Sequence, residues 1–168
     1  DETGARHQGK NHYIHARCDP RFSSSFVKPD KKRETLKGIF GLGKEDRLKI
    51  PLITDDAKQY YKLSEIGCLC WIHEIRHYIK LNPYLGYHKK ILELFLDDLY
   101  EFYRFMQLYK INPNDNIKAE VRSKFEELIF KSYGYNELEQ RLAVTWKNRD
   151  RLLQFLDHPC IPLHNNES

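Results

Sequence analysis

The chain has 168 residues, of which 40% are hydrophobic and 31% charged, with a formal net charge of +4. That length suits one domain with a real core, and no apolar run approaches the roughly 20 residues that span a bilayer, so a helical membrane span is excluded. Four unevenly placed cysteines do not form a disulfide framework and point to a reducing compartment, while the mild positive charge permits nucleic-acid binding without arguing for it.

The first third reads as β-rich. "NHYIHARCD" alternates, with Ile14, Ala16 and Cys18 on one face and Tyr13, His15 and Arg17 on the other. A turn at "DPRFSS" and a short strand at "SSFVK" complete a hairpin. "KKRETLKGIF" predicts a short helix that ends near Gly41 or Gly43. "LKIPLIT" is a third apolar run whose ladder starts at about Leu52, because Pro51 has no N–H to give. "DDAKQYYKL" predicts a helix opening on acids, "CLCW" a brief buried strand, and "IHEIRHYIKL" a helix with Ile72, Ile75 and Ile79 inside.

From Pro83 the pattern turns helical. Ile91, Phe95, Leu99, Phe102 and Met106 share one stripe, and "NPNDN" breaks it. Ile117, Val121, Phe125 and Leu128 repeat it, and a third helix opens near Asn136, with Asn136 and Glu139 spaced as a capping pair. The organisation is a βαβ-type platform over 1–82, a helical segment over 83–157 and a return loop over 158–168. Strands alternating with helices predict an α/β fold with a mixed or parallel sheet. The chain opens on "DETGAR" without Met and closes on "PLHNNES", and we read it as a piece of a longer protein.

Two features could carry chemistry. Asp55 follows Ile53 and Thr54 at the C-terminal end of an apolar strand, where parallel sheets place ligand-binding groups. Asp1 leads into the hairpin. Two carboxylates brought together repel unless a cation neutralises them, and hard oxygen ligands suit Mg²⁺ or Mn²⁺. The bland alternative for Asp55 and Asp56 is a helix cap.

The second feature is "GCLCWIHEIRHY". Cys68, Cys70, His73 and His77 have the right side chains for zinc, although C-x-C-x₂-H-x₃-H is not a common zinc spacing. The competing pattern is a basic stripe of His73, Arg76, His77 and Lys80, at i, i+3, i+4 and i+7, suited to phosphate contacts.

Four pieces in order, "DETGARHQGKNHYIHARCDP", "LITDDAKQYYKL", "CLCWIHEIRHY" and "FLDHPCIPLHNNES", give a resemblance to the bacterial insertion-sequence-66 family of transposases. The resemblance implies a ribonuclease H-like core with a DDE catalytic triad, interrupted by a large all-helical insertion. Asp1 matches the first catalytic and metal-binding acid and Asp55 the second, with Asp56 in reserve. Asn165 and Asn166 match the family's paired asparagines, expected at DNA, which puts the third acid directly after Ser168 rather than at Glu167. The family commonly has Asp where this chain has His164. The implied activity is Mg²⁺- or Mn²⁺-dependent cleavage and strand transfer at the ends of an insertion sequence. The implied partners are DNA and further copies of the chain in a homodimer or larger synaptic complex, in a bacterial cytoplasm at the nucleoid, and the fragment itself is expected to be inactive if the third acid is missing. The alternatives are another ribonuclease H-like nuclease or resolvase, or a zinc-stabilised helical adaptor.

Overall fold

The computed structural model describes residues 2–19 and 21–165. The protein is mixed α/β and divides into two compact units. One comprises residues up to Cys70 together with those from His164 on, and the other comprises Trp71–Leu163.

The first unit opens with an antiparallel sheet of β1 (Glu2–His7), β2 (Lys10–Asp19) and β3 (Phe22–Lys28), in that order. The expected hairpin is β2–β3, with Ile14 opposite Val27. Strand β1 is an addition, because "ETGARH" lacks apolar alternation. It is joined to β2 by Gln8 and Gly9 at φ 48° and 73°, the two-residue turn with positive φ that matches strand twist. On β2 the face of Tyr13, His15 and Arg17 is the covered one. His15 is buried with its Nε2 3.1 Å from the Asp30 carbonyl oxygen, and the Arg17 guanidinium lies over Phe22 and Phe40 at 5.4 and 5.3 Å. Phe40 ends α1 (Arg33–Phe40), which stops at Gly41. The φ of +68° there lets the Gly41 and Leu42 N–H groups close on the Gly38 and Lys37 carbonyls.

Strands β4 (Leu52–Thr54) and β5 (Gly67–Leu69) form a separate parallel pair, with Ile53 opposite Cys68. The Cys70 N–H extends the ladder to the Thr54 carbonyl at 2.9 Å. Where "DDAKQYYKL" predicted a helix, the chain makes only one 3₁₀ turn, Lys58–Tyr60. Asp55 Oδ1 takes the Ala57 N–H at 3.1 Å, Asp56 Oδ1 takes the Tyr61 hydroxyl at 2.8 Å, and Lys62 sits at φ 58°. Short acidic side chains here bond the local backbone in a non-helical turn, and a left-handed residue cannot continue a helix.

The second unit contains α2 (Trp71–Ile79), α3 (Gly86–Ile111), α4 (Asp115–Phe130), α5 (Asn136–Lys147) and α6 (Arg149–Leu152). The stripes expected from the 3.6-residue period largely fill its core: Phe95, Leu99, Phe102 and Met106 of α3 and Val121, Phe125 and Leu128 of α4 are buried. Trp71 stands at the centre, edge-on to Phe102 and Phe125 at 5.6 and 6.2 Å, with its indole N–H on the Leu152 carbonyl at 2.9 Å. Asn114 caps α4 by accepting the Ile117 N–H. Asn136 does not cap α5. It is the first helical residue, and Glu139 instead accepts the Tyr133 and Gly134 N–H groups at 3.0 Å each. Among the described residues no helix is long and apolar enough to cross a membrane.

Candidate functional site

Asp55 stands directly after Thr54, the buried last residue of β4, at the C-terminal end of the parallel pair. Its backbone is pinned by the Thr54 hydroxyl, which donates to the Asp55 carbonyl at 2.8 Å. The half-buried carboxylate has two jobs available. Oδ1 caps the following turn, while Oδ2 has no hydrogen-bond partner among the described residues and can serve a cation. Asp56 is committed to Tyr61. The chain comes back into the same unit at His164 and Asn165. The His164 Nδ1 and the Asn165 Oδ1 are buried there without a hydrogen-bond partner among the described residues. An amide oxygen, like a carboxylate oxygen, is a hard donor of the type that suits Mg²⁺ or Mn²⁺. Asp1, Asn166 and Glu167 lie outside the described residues.

Helix α2, with Lys80 directly after it, carries the expected basic stripe on the outside: Arg76, His77 and Lys80 are exposed and His73 is half-buried. Its inner face differs from the expected isoleucine stripe. Trp71, Glu74, Ile75 and Tyr78 are buried, and Ile79 is 51% exposed. The reason is a polar network that sequence reading missed. Arg141 of α5 donates to Glu74 Oε2 at 2.5 Å, and the Thr145 hydroxyl donates to Glu74 Oε1. The Tyr78 hydroxyl completes the chain at Thr145, and burial together with the Glu74 charge pushes its pKa well above the ordinary tyrosine value. A buried carboxylate is tolerated only when paired and bonded in this way, so Glu74 rather than Ile79 turns inward. The only sequence signal was an acid inside an otherwise apolar and basic helix.

Cys68 and Cys70 are both buried small residues. Among the described residues, which include both cysteines, His73 and His77, no three His, Cys, Asp or Glu side chains are grouped as metal ligands.

Residues 1–168 match the family described as "Transposase IS66 family" along the whole chain. A relative from Sinorhizobium fredii (strain NBRC 101917 / NGR234), "Uncharacterized protein y4jO", is 32% identical over 119 residues. Those residues are 70% of this chain and 36% of that protein, so the chain spans little more than a third of the relative's length. No solved structure matches. The chain belongs to the IS66 family of transposases.

Proposed function

We propose that the chain is the catalytic part of a transposase that cuts DNA at the ends of an insertion sequence and joins the freed ends to a target. The reading takes residues 1–82 as the first part of a ribonuclease H-like core, 83–157 as its helical insertion and 158–168 as the return to the core. It rests on family membership and on one observation: Asp55 stands at the carboxyl end of a parallel strand with one carboxylate oxygen still available. Asp55 and Asp1 would hold a divalent ion, with Asn165 and Asn166 of the returning chain at the DNA. When bound, such an ion activates water and neutralises the phosphodiester. The residues' own part is positional. Thr54 fixes the Asp55 backbone, the Ala57 N–H fixes one carboxylate oxygen, and neither bond blocks the other oxygen. The exposed Arg76, His77 and Lys80, with His73, form a face that holds DNA phosphates.

The test uses a polypeptide extended at both ends of this chain, a labelled duplex carrying an insertion-sequence end, and Mn²⁺. Strand cleavage and joining are expected for the unmodified protein and for Asp56→Asn, and neither for Asp55→Asn. Full activity in Asp55→Asn would sink the assignment. Cleavage without joining would favour a nuclease or resolvase.

A further inference from the structure

Between Glu74 and Glu93 the chain runs for 18 residues without an acid, and this stretch carries Arg76, Lys80, Lys89 and Lys90. It spans the second half of α2, the connector and the first turns of α3, all within the helical unit. The same stretch displays aromatic side chains that the core does not use: Tyr84 is 97% exposed and Tyr87 is 60% exposed.

Tyr87 is not a loose side chain. Its ring lies 4.0 Å from that of His88, and His88 stacks on the buried Tyr135 at 4.5 Å with planes 22° apart. Three rings thus run in sequence from the interior to the surface, the outermost in contact with His88 and tilted 54° to it. A ring held in this way loses little rotamer freedom on binding a further flat group.

We propose that this connector binds an unpaired DNA strand, with Tyr87 stacking against one base, Tyr84 against another, and Arg76, Lys80, Lys89 and Lys90 on the phosphates. The inference rests on the DNA-handling reading above and specifies its substrate. A duplex offers only base edges and phosphates, so exposed rings gain from a strand whose base faces are free. A run of cations uninterrupted by acids selects a polyanion over a protein surface of mixed charge. An unpaired strand end, with its base faces free, is the ligand this surface fits.

The experiment is fluorescence anisotropy of the 168-residue chain with oligothymidylate of about 16 nucleotides, the upper end of a single-strand site size, and with a duplex of similar length. Tyr87→Ala is expected to weaken oligothymidylate binding roughly tenfold and to leave duplex binding unchanged. Tyr87→Phe keeps the ring and is expected to keep the affinity. The double variant Lys89→Gln/Lys90→Gln is expected to weaken both. Far-ultraviolet circular dichroism confirms that each variant is folded, and sedimentation reports self-association. Unchanged oligothymidylate binding in Tyr87→Ala would overturn the proposal. So would a wild-type chain that binds only duplex, and in that case the wider DNA reading survives. A Tyr87→Ala variant that loses self-association while its DNA binding is intact would show a protein interface instead. Binding to neither nucleic acid removes both readings.

Discussion

Arg141→Met should be among the most damaging single changes in the helical unit. Glu74 is 4% exposed and the Arg141 side chain 16% exposed, so their bond is almost wholly shielded from water. Removing the cation leaves the Glu74 carboxylate with the Thr145 hydroxyl as its remaining partner. Breaking a buried pair in this way costs about 3–5 kcal/mol, and the residual exposure of Arg141 places the loss at the lower end, about 3 kcal/mol. For a chain of this size that corresponds to a fall in Tm of about 6–12 °C. Urea unfolding followed by far-ultraviolet circular dichroism, which reads chiefly the helices, measures it. The double variant Glu74→Leu/Arg141→Met removes both charges, and Thr145 can then donate to the Arg141 main-chain carbonyl it already approaches at 3.2 Å. It is expected to recover to within about 1 kcal/mol of the wild type. If Arg141→Met costs less than about 1 kcal/mol, or if the double variant is no better than the single one, Glu74 is not held by charge pairing and the account of α2's inner face is wrong.

Replacing Arg76 and Lys80 together by Gln should flatten the dependence of log affinity for duplex DNA on log salt by about 0.9 for each phosphate that the variant no longer neutralises; an unchanged slope would take the outer face of α2 away from the DNA. Asp157 accepts from Lys118 at 2.7 Å, and this hydrogen bond holds its carboxyl below the usual aspartate range. With the folded pKa depressed, the pair's contribution is present above the unfolded pKa and is lost as pH falls through the folded one. Asp157→Asn should therefore cost under about 1 kcal/mol at neutral pH, because the pair is exposed and screened, and nothing in strong acid, as urea unfolding at the two pH values would show. Gly41→Ala should destabilise the first unit by about 1 kcal/mol through the φ of +68° alone, since no atom lies within 4 Å of the added Cβ; a neutral result would mean that the end of α1 readjusts freely.

What the sequence displays is local periodicity, and that is what could be read from it. The stripes of α3 and α4, the β2–β3 hairpin, the late start of β4 after Pro51 and the end of α1 at Gly41 all follow from spacing or from one residue's backbone limits. What escaped depends on partners far along the chain or on side chains that compete with the backbone. Strand β1 has no pattern of its own and exists because β2 supplies its hydrogen bonds. The expected helix after Asp55 gives way to a single turn because Asp55 and Asp56 bond locally and Lys62 is left-handed. Glu74 turns inward because Arg141 and Thr145, 67 and 71 positions away, meet it there. The candidate site divides along the same line. The position of Asp55 at a strand end is local and was legible, as was the solvent face of α2. The ring sequence Tyr87–His88–Tyr135 was not, since Tyr135 approaches from the far side of α4 in sequence. The two parts also answer to different tests: Asp55→Asn acts on cleavage and leaves a base-stacking surface intact, whereas Tyr87→Ala removes a stacking ring and leaves the acid in place.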